Sequence, residues 1–353
     1  MNNGDMNMNK SINISSSLLL EKAINHEKVP RCPCICPGGM MNMLTVELME
    51  KEKVWWPEAH INPKVMAKLA ESVYLNNLFD NIGVPSCMTV EAESMGAKVD
   101  LGSISIEPRV IEYAINSVKE WNKLENINID SGRVKVVLDA LKIIKSNKSG
   151  AAIIGNLTGP ISVASSLVEA IQFYKDLHKN PEDSKKIMEI VTDNLILFGK
   201  AQIEAGAEFI TISDPSGTGE ILGPNLFKKY ALPYLNRICR ELKPLCKGII
   251  VHICGQLKSI YEELLQLECD VISVDAVVNL KQLKKRLPNK IIMGNVSTFA
   301  LASGNKKIIH KLCENCIENG TNILSPACGL GTTTKIDSIK IIMETSKENM
   351  EEI

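Results

Sequence analysis

The chain has 353 residues, with Lys plus Arg at 40 against Asp plus Glu at 41, and 45% of its residues are hydrophobic. Near-zero net charge leaves no broad basic field for nucleic acid or an anionic membrane, so the expected partner is a small molecule or another protein. No apolar run is long enough to span a bilayer, Met1 to Lys10 is polar without a signal-peptide core, and the 11 cysteines follow no compact framework, which together predict a cytoplasmic protein with reduced thiols.

A helical pattern around Ser17 to Asn25 marks residues 1–27 as an N-terminal extension, with residues 28–353 reading as one domain. From there short apolar runs alternate with amphipathic helical patterns. The predicted strands are Arg31 to Cys36, Cys87 to Glu91, Ala151 to Gly155, Phe209 to Ser213, Ile249 to Ile253, Val271 to Val274, Lys290 to Met293 and Asn322 to Ser325. Helices are expected between them, as at Ser184 to Ala205, which closes on Gly206, and at Leu257 to Leu267. Alternation of this kind signals parallel strands joined by right-handed crossovers, and eight units predict an α/β fold, a single (β/α)8 TIM barrel. Lys281 to Arg286 interleaves charge with apolar residues, the pattern of a solvated helix face.

In such barrels chemistry sits at the C-terminal ends of the strands. Those ends here read Pro37-Gly38-Gly39, Glu91-Ala92-Glu93, Asn156, Asp214-Pro215, His252-Ile253-Cys254, Asp275, Gly294-Asn295 and Cys328-Gly329. On a strand, residues two apart share a face, so His252 and Cys254 can reach one metal ion, and Cys328 offers a thiol in the same kind of place. His, Cys and Cys with an open fourth position is the ligand set of a catalytic zinc. Cys32, Cys34 and Cys36 also alternate, but their place inside the first predicted strand assigns them to packing in the barrel interior. Gly329-Leu330-Gly331 lacks the spacing of a phosphate loop.

Laid out this way, the sequence resembles the uroporphyrinogen decarboxylase superfamily, and within it the zinc-dependent methylcobamide:coenzyme M methyltransferases. The resemblance runs from about Lys28 to the C-terminal helix. It rests on Cys36-Pro37-Gly38-Gly39-Met40-Met41-Asn42, Thr89 to Gly96, Gly155-Asn156-Leu157-Thr158-Gly159-Pro160, Ser213-Asp214-Pro215-Ser216, His252-Ile253-Cys254-Gly255 and Ser325-Pro326-Ala327-Cys328-Gly329. It implies that His252, Cys254 and Cys328 hold a catalytic zinc. The family's decarboxylases carry an arginine-rich motif after the first strand; this chain has Cys-Pro-Gly-Gly-Met there, and Arg31 falls at the opposite end.

The resemblance thus implies transfer of a methyl group from a methylcobamide, presented by a separate corrinoid protein, to a small-molecule methyl acceptor such as coenzyme M. Tetrahydrofolate or another thiol is an alternative acceptor, and a uroporphyrinogen decarboxylase or a non-catalytic corrinoid- or zinc-binding protein is a further alternative. Expected contacts to the corrinoid are Gly38, Gly39, Met40, Asn156, Asp214, Gly329 and Gly331, whose glycines would give backbone clearance to a macrocycle. Glu91, Glu93, Asp275 and Asn295 are expected to orient the ligands or to touch the acceptor.

Overall fold

A computed structural model describes residues 14–350, and the predicted polar start Met1 to Lys10 lies outside the described residues. Strand β1 is Asn81–Val84. A two-stranded antiparallel ribbon follows, β2 (Lys98–Asp100) and β3 (Arg109–Glu112). Then come β4 (Ala152–Thr158), β5 (Phe209–Ser213), β6 (Ile249–Ile253), β7 (Val271–Val274), β8 (Ile291–Val296) and β9 (Ile323–Pro326). Seven of these form one parallel sheet in the order β1-β4-β5-β6-β7-β8-β9, with helices between successive strands. Strands buried on both faces read as continuous apolar runs, which is why five of the predicted strands from Phe209 onward match within a few residues. Among the described residues no helix is long and apolar enough to cross a membrane.

The eight predicted strands are corrected at two places. The first, Arg31 to Cys36, is a single parallel bridge from Cys34 to Leu324 rather than a strand. Prolines at 33 and 37 remove backbone donors at both ends of this segment. It nevertheless lies between the two sheet edges. On one side Ile35 N–H donates to Leu324 O (3.0 Å) and Leu324 N–H to Pro33 O (2.9 Å). On the other, Asp80 N–H donates to Cys34 O (2.7 Å), and the Asn81 carboxamide pairs with both N–H and C=O of Cys36 at 2.9 Å, doing for the chain what a backbone partner would do in a ladder.

The second correction is Cys87 to Glu91. That stretch is a loop leading into the helix Val90–Ser94, and the strand lies earlier, at Asn81–Val84, stopped by Pro85. Gly83 hides this strand from sequence reading because glycine weakens a strand pattern. The glycine is required: a Cβ there would stand 1.5 Å from Pro37 O, where the bridging segment crosses.

Parallel register puts Thr158, Ser213, His252, Ser273, Met293 and Ile323 in one layer, each directly beside the next. The layer two residues earlier holds Asn156, Thr211, Ile250, Val271 and Ile291. The helix Ser16–Ile24 of the N-terminal stretch packs at the other end, with Leu20 and Ile24 joining the core and Ser16 Oγ donating to Asp80 Oδ1 (2.9 Å).

Asp80 collects that bond, both guanidinium nitrogens of Arg31 at 2.7 Å, and the Cys34 N–H at 2.8 Å, with its side chain 3% exposed and that of Arg31 13%. Replacing Asp80 with Ala strands a nearly buried guanidinium and a buried N–H. The expected loss of unfolding free energy is about 3–5 kcal/mol, read by denaturant titration, because breaking a buried pair from one side leaves the other charge uncompensated.

Candidate metal centre

His252 is the fourth residue of β6 and is wholly buried. Its Nδ1 lies 3.0 Å from Ser273 Oγ, its neighbour in register on β7, and the Ser273 hydroxyl in turn points at Met41 Sδ (3.5 Å). With the hydroxyl proton committed to sulfur, the serine oxygen accepts from Nδ1–H, which leaves Nε2 with its lone pair free. Nε2 faces Cys254 Sγ at 3.1 Å, and Cys254 Sγ lies 3.9 Å from Cys328 Sγ, so that all three ligand atoms fall within 4.8 Å of one another. Among the described residues no other group of three such side chains has this spacing. One imidazole nitrogen and two half-buried thiols are a donor set that fits a zinc ion, and among the described residues no fourth His, Cys, Asp or Glu joins the group.

The two thiols behave as one acid. The hydrogen bond from Cys254 pulls the Cys328 thiol well down, with His252 adding to this, while the same bond and burial push Cys254 up. Of the two, Cys328 gives up its proton more readily, and metal binding would displace the thiol protons of both.

Cys36, Cys34 and Cys32 splay apart instead of sharing a face, their thiols donating to Met41 O (2.9 Å), Ile342 O (3.6 Å) and Thr321 O (3.9 Å) respectively. Burial pushes the thiols of Cys34 and Cys36 well above the usual range, as suits packed cysteines.

The other strand-end residues divide by what already engages them. Gly38 and Gly39 have φ of 112° and 60°, but the space beside them is filled by Asn156: a Cβ on Gly38 would meet Asn156 Nδ2 at 2.6 Å. That amide donates to Pro37 O (2.9 Å) and Pro85 O (3.3 Å), leaving Asn156 Oδ1 buried without a partner. Gly329 is pressed to Met40 O, where a Cβ would sit at 2.4 Å, whereas Gly331 has only Thr334 Oγ1 within 4 Å, at 3.7 Å. Met40 stands half-buried in the turn closed by Met41 N–H to Gly38 O (3.0 Å).

Asp214, wholly buried, takes the N–H groups of Ile161 (3.2 Å) and Ser162 (2.9 Å) and the Ser162 hydroxyl (2.6 Å), capping the helix Pro160–Leu167. Glu91 accepts from Thr158 N–H (2.7 Å) and its hydroxyl (3.0 Å), and burial raises its carboxyl. Glu93 turns away to Arg133 (2.5 Å), whose guanidinium also reaches Thr89 Oγ1 (2.8 Å) and Cys87 Sγ (3.2 Å). Asp275 accepts from Gly255 N–H and Val277 N–H, both at 3.2 Å, and so stiffens the turn that carries Cys254. The Asn295 amide donates to Asp275 O (2.8 Å) and Val278 O (2.9 Å), and its oxygen takes the Cys316 thiol (3.6 Å), which binds it into the loop wall.

Sequence reasoning passed over Ser273, Met41, Asn42 and Glu107. A lone serine in Val271-Ile272-Ser273-Val274 was a usable signal, since a polar residue in an apolar strand needs a partner. Glu107 carries no such signal. The loop of the β2–β3 ribbon brings it to the mouth, where its Oε1 accepts from Asn42 Nδ2 (3.1 Å), while burial and, less strongly, Cys328 raise its carboxyl. Asn42 is tied by its own carbonyl to Leu330 N–H (2.7 Å), two residues beyond Cys328.

Comparison with known proteins fits this arrangement. Residues 16–349 match the family Uroporphyrinogen decarboxylase (URO-D), and the chain belongs to that family. It lies in the family's methyltransferase branch. The methylcobamide:CoM methyltransferase MtbA of Methanosarcina acetivorans is 31% identical over 331 residues, 93% of this chain and 96% of that protein. A solved structure, a methyltransferase from Methanosarcina mazei, superposes with a TM-score of 0.87 at 27% identity, covering 95% of this chain and 99% of the other. A uroporphyrinogen decarboxylase of Francisella tularensis subsp. novicida is 26% identical over a shorter stretch, 72% of this chain and 76% of the other.

Three outcomes follow. Cys254→Ala and Cys328→Ala should each abolish stoichiometric zinc binding in a protein that still unfolds cooperatively, and Ser273→Ala should weaken zinc affinity about 10–100-fold by freeing the His252 ring; metal analysis and competition with a chelating dye measure both. For Asp214, burial lifts the carboxyl from 3.8 to about 6 in the folded chain. A raised acid stabilises the fold fully below its unfolded value and loses that contribution as pH rises through about 6. Relative to Asp214→Asn, the natural protein should lose on the order of 3 kcal/mol between those limits in pH-dependent denaturation.

Proposed function

We propose that the protein is a zinc-dependent corrinoid methyltransferase that moves a methyl group from protein-bound methylcobamide to a small thiol, the class to which the CoM named for the relatives belongs. The observation that carries this reading is the convergence of His252 Nε2 with the thiols of Cys254 and Cys328 within 4.8 Å at the strand ends. Identity to methylcobamide:CoM methyltransferases across 93% of the chain supports it. When bound there, zinc supplies a Lewis acid that holds the acceptor sulfur as thiolate at neutral pH.

The chain's own residues supply the rest. Ser273 fixes His252 in the Nδ1–H tautomer, and the buried layer of His252, Ser273 and Met293 closes the barrel below the thiols. With His252 wholly buried and Cys254 and Cys328 only partly so, the mouth is the side from which a donor can reach the centre. In the displacement the acceptor sulfur bonds to the methyl carbon, the carbon–cobalt pair stays on cobalt, Co(III) becomes Co(I), and the thiol proton passes to solvent. Holding both reactants in line contributes several kcal/mol, roughly the range of well-oriented intramolecular reactions. The segment 37–42, which contains no arginine, supports methyl transfer over decarboxylation of a many-carboxylate tetrapyrrole.

Incubation with methylcobalamin and a small thiol should yield cob(I)alamin and the methyl thioether. The rate should persist at pH values where the free thiol is mostly protonated and should drop at least about a hundredfold in His252→Ala, in line with loss of a metal-held nucleophile. Tetrahydrofolate belongs in the same panel as an amine acceptor. Turnover unchanged in His252→Ala, or decarboxylation of uroporphyrinogen, would overturn the reading.

A further inference from the structure

Cys254 Sγ and Cys328 Sγ lie 3.9 Å apart, close to the separation of about 3.8 Å that two zinc–sulfur bonds of about 2.3 Å give at a tetrahedral ion. The same spacing is near bonding range. A disulfide is about 2.05 Å long, so the sulfurs need to approach by about 1.9 Å, a movement shared between two side chains that each turn about χ1. The two cysteines stand 74 residues apart, one just past β6 and the other just past β9, and neither is wholly buried.

Cysteines elsewhere are engaged differently. Cys246 turns its thiol to Gly248 O (3.5 Å) and Cys32 to Thr321 O (3.9 Å), and Cys36, wholly buried, donates to Met41 O (2.9 Å). The hydrogen bond of Cys254 and Cys328 runs between the two sulfurs themselves, so each already stands in the other's line of approach. Both are reached from the mouth, while His252 lies wholly buried behind them.

We infer that Cys254 and Cys328 close on each other as a reversible disulfide when the centre holds no metal, so that a peroxide shuts the site and a small thiol reopens it. This rests on the metal centre and thiol-methylating reading given above and adds a control of that same site. In closure one sulfur attacks a peroxide oxygen, releases hydroxide and becomes a sulfenic acid, and the other sulfur then displaces hydroxide from it. Two thiols and one hydrogen peroxide thus give one S–S bond and two waters. In reopening an external thiolate attacks one sulfur of the bond and releases the other, and a second thiolate frees the mixed disulfide, so two molecules of thiol are oxidised for each bond reduced. That reductant is of the same class as the proposed acceptor, which couples competence of the site to supply of its substrate. Zinc binds the dithiol and not the disulfide, so a bound ion opposes closure by mass action.

The test treats the full chain with hydrogen peroxide in two forms, zinc-loaded and chelator-stripped, and reads intact mass, non-reducing peptide maps and zinc uptake. The stripped form is expected to lose the mass of two hydrogens and to give a cross-linked peptide pair joining Cys254 to Cys328. Its zinc uptake should fall at least about tenfold, since the imidazole alone remains of the ligand set, and 2-mercaptoethanol should restore it. At the same peroxide dose the zinc-loaded form should keep both thiols reduced. Cys36→Ala should leave the cross-link in place and Cys254→Ala should abolish it. Zinc uptake that survives peroxide, or that is lost without a Cys254–Cys328 cross-link, overturns the inference and leaves the metal centre standing. Uptake that 2-mercaptoethanol fails to restore, or equal cross-linking of the zinc-loaded form, overturns it as well. Failure of the reduced, untreated chain to bind zinc overturns the metal centre itself, and the redox control with it.

Discussion

Curvature of the sheet is the constraint on which the site depends. His252 and Cys254 belong to the end of β6 and Cys328 to the end of β9, three strands away. In a flat sheet three strand spacings amount to about 14 Å, far too wide for one ion. The observed 3.9 Å between the two sulfurs requires the sheet to curl between β6 and β9 so that their ends face one another across the interior. The segment from Pro33 to Cys36 joins the two edges of the sheet without being a strand, and Asp80 with Asn81 holds it there through side chains.

Within that frame, register does the fine placement. Direct pairing of His252 with Ser273 is what puts a hydroxyl on Nδ1, and a slip of one residue between β6 and β7 would turn the imidazole outward among the helices. Loop hydrogen bonds add rigidity where the strands stop. Asp275 joins the turns after β6 and β7, and Asn295 joins the end of β8 to the loop after β7. Ligands fixed by strands and braced turns need little reorganisation when an ion arrives.

The sequence made the His252, Cys254 and Cys328 cluster legible because the information is local: two positions apart on an apolar strand, then a cysteine just past another. Five strands from Phe209 onward were equally plain, being unbroken apolar runs. What could not be read was anything decided by a distant partner. Gly83 looks like a strand breaker until Pro37 O is seen against it, and the run from Arg31 to Cys36 looks like a strand until its prolines are set beside its two neighbours. Asp214, Asn156 and Asn295 resemble site residues because a strand-end polar side chain reads the same whether it caps a helix, ties a loop or faces a ligand. Their partners, Ser162, Pro37 and Cys316, lie elsewhere in the chain. Glu107 was invisible for the opposite reason, since an ordinary glutamate in a ribbon loop gains its place only from the path of that ribbon.

The separation of the ligands along the chain also sets an order of events. His252 and Cys254 are together as soon as β6 exists, but an imidazole and one thiolate make a weak, incomplete ligand set. The third candidate ligand follows β9, the last strand of the sheet, and faces the other two only once β7, β8 and β9 have curled round from β6. Any ion held by all three side chains would therefore be captured late, and would mark a molecule whose sheet from β6 to β9 is already in place.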